Sequence, residues 1–331
     1  MEEELRQDKI TSNNTQLDAL NKFGVAKYIF LLNAKEELNL PPYKGSTLRG
    51  GFGVIFRRIC CIKKDVIDCK SCLFKNKCAY AYIFATSPLP DSKRLRNLRE
   101  IPRPFVIEPP QETKRIYKKG ETLDFNLILI GKAIEYLPYF VFSFKELGNI
   151  GIGKHRGRYE LTHCFNHKKE KIYDSKDGIL NNNNFMIDIE KQISSFSVTE
   201  HLKILFLTPT RIKIKGDLVT KPEFYVLIKA LLHRISALAY FHCGLEPDFD
   251  YKSLISAAKR VKIKSENLSW VDWERYSFRQ DTRMKLGGFV GEITYEGNFE
   301  LFLPLLLLGE YTHIGKNCTF GLGKYQILGK D

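Results

Sequence analysis

One supersecondary pattern occurs twice in this chain, separated by half its length. Residues 123–161 read LDFNLILIGKAIEYLPYFVFSFKELGNIGIGKHRGRYEL, and residues 288–328 read GFVGEITYEGNFELFLPLLLLGEYTHIGKNCTFGLGKYQIL. Setting Pro138 against Pro304 also brings Gly157 against Gly323, Arg158 against Lys324 and Tyr159 against Tyr325, an offset of 166 in a chain of 331 residues. Each copy predicts a strand, a polar turn, an apolar helix with an early proline, a Gly-rich basic loop and a second strand. The competing reading is a chance likeness between two ordinary strand-helix-strand units.

A further strand-helix pair precedes each copy. Phe23 to Asn33 is an apolar, β-prone run, followed by Pro41-Pro42 and a stretch from about Ser46 in which Leu48, Phe52, Ile55, Phe56 and Ile59 recur at helical spacing. In the second half His201 to Lys215 predicts one or two strands, and Pro222-Glu223 opens a helix carrying Phe224, Leu227, Ile228, Leu231 and Ile235 on one face. The sequence therefore predicts an α+β chain of two tandem ferredoxin-like βαββαβ domains, with helices on one face of an antiparallel sheet. The expected boundaries are 1–165 for the first domain, 166–197 for a Lys-, Asn-, Asp- and Ser-rich linker or hairpin, and 198–331 for the second. Both domains are long enough to bury a core.

The first domain is expected to carry an insertion, about 60–100, in which Cys60, Cys61, Cys69, Cys72 and Cys78 fall within 19 residues; the rest of the chain holds only Cys164, Cys243 and Cys318. Cys69-x-x-Cys72 is the spacing with which two thiolates grip one ion, and Cys61 and Cys78 complete four ligands. Cys60, beside the apolar row through Phe56, is assigned to the core. Four cysteines fit a structural zinc; an iron-sulfur cluster uses the same ligands, and a metal-free cluster is the third reading.

The net charge is +14, and it is concentrated: residues 44–103 hold 14 Lys/Arg against 4 Asp/Glu, residues 198–331 hold 19 against 15. Such a footprint suits a polyanion. The longest apolar run, Leu301 to Leu308, contains Pro304 and is far short of the roughly 20 residues of a spanning helix. The start, Met-Glu-Glu-Glu, lacks the basic opening of a secretory signal, so a cytoplasmic chain without membrane partners and without structural disulfides is expected.

The loops at 148–159 and 313–325 set Lys154, His155, Arg156 and Arg158, and then Lys316 and Lys324, among glycines. Missing Cβ atoms let backbone amides approach a phosphate. Neither loop is a Walker motif. A pair of solvated turns is the plainer reading.

Taken together, GIGKHRGRYEL, the insertion CIKKDVIDCKSCLFKNKCAYAYIF, WERYSFRQ at 273–280 and HIGKNCTFGLGKYQI resemble the CRISPR precursor-RNA-processing endoribonucleases of the RAMP superfamily, in the branch with an N-terminal cysteine cluster. The resemblance runs from about Tyr43 to Tyr325 and implies two ferredoxin-like domains, binding of CRISPR repeat RNA and metal-independent cleavage by 2′-hydroxyl attack. The products would carry 2′,3′-cyclic phosphate and 5′-hydroxyl ends. Lys154, His155, Arg156, Arg158, Lys316 and Lys324, with Arg49, Arg275 and Arg279, are expected to hold RNA.

That reaction needs a base, an acid and cations around the phosphorane-like transition state. In much of the family a histidine of the first helix acts, yet no histidine precedes His155 here. The catalytic candidates are therefore His313, beside the terminal Gly-Lys, His242, at a helix C-terminus where the dipole favours a cation, and Tyr43 with Lys44. Zinc is expected to be structural, with no cofactor for catalysis. Two alternatives remain open: a RAMP subunit of a CRISPR effector complex that binds crRNA without cutting it, and a zinc-ribbon protein binding other nucleic acid.

Overall fold

The computed structural model describes residues 19–63, 69–86, 101–181, 185–196, 200–277 and 282–329, with the backbone alone for Lys70, 274–277 and 282–285. Two compact units emerge, Gly24–Ile187 and Asp188–Asp331 with Met1–Phe23.

In the first unit β1 (Val25–Ala34), α1 (Gly45–Cys60), β2 (Phe105–Glu108), β3 (Thr122–Ile130), α2 (Leu137–Ile150) and β4 (Tyr159–Asn166) follow one another, and β5 (Lys171–Asp174) turns back along β4. The sheet runs β2-β3-β1-β4-β5, every neighbouring pair antiparallel. The second unit repeats the plan with β6 (His201–Thr210), α3 (Phe224–Leu238), β7 (Lys262–Val271), β8 (Gly288–Glu296), α4 (Leu303–Thr312) and β9 (Tyr325–Leu328), in the order β7-β8-β6-β9. In each sheet the unit's first strand lies between its third and its fourth, and the second strand flanks the third. This is the ferredoxin-like arrangement twice over.

Alternation along β1 buries Ala26, Tyr28, Phe30, Leu32 and Ala34 as one row. Leu48, Phe52, Ile55 and Phe56, at helical spacing on α1, pack into the same core, where the Phe52 ring stacks on Phe140 of α2 with centroids 4.5 Å apart. In the second core Phe224 meets Tyr295, Phe299 and Phe302 edge-on at 5.1, 5.5 and 5.2 Å. Leu303 and Leu305–Leu308 of α4 are all buried, which explains a helix that is apolar on every side. The helical run Phe224–Cys243 is long and apolar enough to cross a membrane by length and composition; Leu227, Leu231 and Ile235 within it belong to the buried core.

The boundary differs from the sequence expectation. The first unit extends to Ile187 rather than 165, because β5 pairs with β4 and Ile172, Tyr173 and Ile187 are buried. The stretch after residue 165 is thus largely structure of the first unit, and Asp188 opens the second by accepting a hydrogen bond from the Lys191 amide at 2.9 Å. Cys60 ends α1, Cys69–Ser71 form a 3-10 turn and Cys78 precedes the short helix Ala79–Ile83.

Candidate nucleic-acid interface

The two Gly-rich loops are the same structural device. In the first, α2 ends at Gly151, the Ile152 amide donates to the Gly157 carbonyl at 3.0 Å, and the Lys154 amide to the Asn39 carbonyl at 2.9 Å. In the second, α4 ends at His313, the Ile314 amide donates to the Gly323 carbonyl at 3.0 Å, and the Lys316 amide to the Arg211 carbonyl at 3.0 Å. Gly153 and Gly315 hold φ of 82° and 85°, and a Cβ on either would come within 2.3 or 2.5 Å of the Asn39 or Arg211 carbonyl oxygen. Glycine is required there.

The sequence offset hides a compensation. Helices begin at Leu137 and Leu303 and strands at Tyr159 and Tyr325, both pairs 166 apart, whereas the cap residues Gly151 and His313 are 162 apart. The second helix has 10 residues against 14, one turn fewer, and its loop is correspondingly longer. At the cap, Gly151 has φ 87°, ψ 161°, and His313 has φ 60°, ψ 172°. A side chain in that region strains the backbone by roughly 1–3 kcal/mol, and His313 bears it.

Both loops present cations at their tips. Lys154, His155 and Arg156 are exposed, as is Lys316, and among the described residues none of the four forms an ion pair. Arg158 differs: its Nε and Nη2 donate to Glu36 Oε1 at 2.8 and 2.6 Å and its amide to Oε2 at 3.0 Å. These bonds hold the Glu36 carboxyl below its usual range. Lys35 is likewise paired with Glu160 at 2.5 Å. The expectation that Arg158 offers its charge to RNA is revised accordingly, since Glu36 already neutralises it.

Around the second loop helix α3 adds one cation, Arg234, that the sequence reading does not name, and His233, which its place on the helix predicts to be a structural residue. Arg234 Nε donates to the Thr312 carbonyl at 2.8 Å, at the entrance of the loop, while its Nη2 is shielded from solvent with no hydrogen-bond partner. His233 beside it is surface-exposed; partial burial of its ring and then the Lys316 charge lower its pKa. Arg211, whose carbonyl holds Lys316, is anchored through Nη1 to the Gly287 carbonyl at 3.0 Å. His233, Arg234, Arg211 and Lys316 have no carboxylate partner among the described residues, so this end of the second unit can seat an anion. Helical spacing hid the pair, because 233 and 234 sit at the edge of the apolar stripe.

The catalytic candidates fare differently. His313 is wholly buried, with Nδ1 3.0 Å from the Leu322 carbonyl, and His242 is 4% exposed. Neither ring presents a surface to a bound chain, which revises the expectation that they touch the scissile phosphate. Lys44 is also wholly buried at the start of α1, where Nζ donates to the carbonyls of Pro42 at 3.1 Å and Glu112 at 2.8 Å. Burial lowers its pKa. It pins the chain ahead of α1 rather than facing solvent. Tyr43 is half-buried, and the Arg49 guanidinium lies 4.3 Å from the Phe84 ring centroid. Tyr43, Lys44 and Arg49 share the start of α1 in the first unit, while His242 and His313 belong to the second. Lys324 is half-buried, the Arg275 side chain lies outside the description, and Arg279 lies outside the described residues.

The cysteines of the insertion lie near one another. Burial, then the charges of Cys78 and Cys61, push the Cys60 thiol up to about 12. Cys69 is raised by burial against the lowering effect of Arg57, with Cys78, Cys61 and Cys72 adding to the rise. Cys61 Sγ donates to the Lys63 carbonyl at 3.1 Å. Among the described residues, no three His, Cys, Asp or Glu side chains converge on one point.

A family model described as an N-terminal domain matches residues 22–185, and one for the CRISPR-associated endoribonuclease Cas6 matches residues 204–325. An uncharacterized protein of Archaeoglobus fulgidus is 24% identical over 300 residues, covering 88% of this chain and 93% of its own. Among solved structures, a Cas6 product complex is similar with a TM-score of 0.55 at 16% identity over 92% of this chain and 99% of its own. Thermus thermophilus Cas6 gives 0.52 at 15%, with the same coverage. The Cas6-matched segment lies in the second unit, and the solved Cas6 structures share the fold of this chain.

Proposed function

We propose that this protein binds CRISPR repeat RNA and cuts the precursor transcript without a metal, the 2′-hydroxyl attacking the adjacent phosphodiester to leave 2′,3′-cyclic phosphate and 5′-hydroxyl ends. The observation that carries the reading is the second Gly-rich loop, inside the Cas6-matched segment, where Arg234 reaches the Thr312 carbonyl, the Arg211 carbonyl holds the amide of exposed Lys316, and none of the three has a carboxylate partner among the described residues. Guanidinium and ammonium groups of this kind bind phosphates and stabilise a phosphorane-like transition state. His233, a surface imidazole whose pKa is lowered by partial burial and then by the Lys316 charge, is the group that would accept the 2′-hydroxyl proton.

A second reading, a subunit that holds crRNA without cutting it, is favoured by the burial of Lys44, His242 and His313. Incubating the purified chain with end-labelled repeat RNA in EDTA separates the two: cyclic-phosphate ends support the nuclease, and intact RNA under tight binding supports the subunit. Preference for DNA would favour neither. The proposal includes a structural zinc held by Cys61, Cys69, Cys72 and Cys78, supported by the Cys69-x-x-Cys72 spacing flanked by the other two.

A further inference from the structure

His313 stands where the first copy of the loop has a glycine. In that copy nothing else fits: a Cβ on Gly151 would lie 1.9 Å from the Arg156 carbonyl oxygen, because only three residues separate Gly153 from Gly157. The second loop has seven residues between Gly315 and Gly323, and the added length opens its interior. The imidazole fills it. Its Nδ1 must carry the proton, since the Leu322 carbonyl 3.0 Å away only accepts. One side chain thereby ties the first residue of the loop to a residue near its end, beside buried Ile314, Cys318, Phe320 and Leu322.

A residue for packing alone would not be expected at a backbone conformation that glycine adopts freely. Asn317, also at positive φ (63°), and Gly321 continue the unusual path, and Thr208 Oγ1 donates to the Gly321 carbonyl at 2.9 Å. Lys316 sits within this braced segment, its own amide held by Arg211.

We propose that His313 is a positioning residue: it closes the enlarged loop from within and so holds Lys316 ready for an RNA phosphate. The proposal rests on the RNA-binding reading for its functional half. Preorganisation lowers the ordering cost that binding would otherwise carry.

The test uses the full chain with His313→Gly and His313→Asn. Glycine relaxes the backbone and removes the brace; asparagine tolerates positive φ and keeps a donor. Three quantities are read: the melting temperature, hydrogen-exchange protection of the Ile314, Phe320, Gly321 and Gly323 amides, and the affinity for repeat RNA at several salt concentrations. For His313→Gly we expect a melting temperature within a few degrees of the parent and loop protection down about tenfold or more. RNA affinity should fall about tenfold, with a salt slope shallower by about one phosphate contact. His313→Asn should recover part of both. Unchanged protection in the glycine variant would overturn the brace. Lost protection with unchanged affinity and slope would overturn the role in RNA binding. Should His313→Gly melt far below the parent, the asparagine variant decides by the same two readings. If the parent itself does not bind repeat RNA, the functional reading falls, while the protection measurement still decides the brace.

Discussion

Tyr159 and Tyr325 hold equivalent places in the two units: each opens the strand that follows the second helix of its ferredoxin-like plan, lies buried, and donates its hydroxyl to a carbonyl of that helix, Phe144 at 2.8 Å and Leu306 at 2.6 Å. Both carbonyls lie seven residues before the helix cap, Gly151 in one case and His313 in the other. The acceptors, 162 residues apart, therefore track the helix ends, although the tyrosines themselves are 166 apart. Replacing either with phenylalanine removes one buried hydrogen bond while the carbonyl keeps its helical partner, and should cost about 0.5–1.5 kcal/mol, read by urea denaturation. A loss below about 0.5 kcal/mol in both would show the bonds to be incidental.

Burial raises the pKa of both phenols well above 10. A raised folded-state pKa contributes stability that is fully present below the unfolded value and is lost as pH rises above it. Alkaline titration should therefore destabilise the parent above about pH 10 more steeply than the double phenylalanine variant. Equal slopes would argue against it.

Phe52→Ala removes the ring that stacks on Phe140 and lies 5.6 Å from the Phe144 ring in the first core. A loss of about 3–5 kcal/mol is expected in chemical denaturation. Because the second unit has its own core, its transition should move little.

Much of this fold could be read from the chain. The doubled pattern, the apolar rows of α1 and α3 and the early prolines located both units, because burial imposes periodicity on sequence. The hairpin expected after residue 165 is present as β4 with β5, but that it belongs to the first unit was not legible, because β5 is only four residues long and adjacent Ile172 and Tyr173 show no alternation. Site residues were harder. Gly-Lys in both loops was legible, since close backbone approach demands glycine. That His313 turns inward, that Glu36 neutralises Arg158 across 122 residues of sequence, and that Arg234 reaches Thr312 are tertiary facts without periodic trace.

Lys316→Ala and Arg234→Ala should each weaken repeat-RNA binding and lower the slope of log affinity against log salt by about one contact. Arg158→Ala, whose charge Glu36 already neutralises, should change the slope less. A larger effect at Arg158 than at Lys316 would reverse the assignment of the two loops.

Elemental analysis of purified, reduced protein should find about one zinc per chain, lost on Cys69→Ser with Cys72→Ser. Protein that folds and binds RNA with no metal would remove zinc from the account.

The most direct measurement is single-turnover cleavage of end-labelled repeat RNA in excess EDTA, with the product termini identified. The account predicts 2′,3′-cyclic phosphate and 5′-hydroxyl ends, and a rate reduced at least about 100-fold by His233→Ala, the scale of a lost general base. RNA bound tightly but left intact, or cut only when a divalent metal is restored, would contradict it.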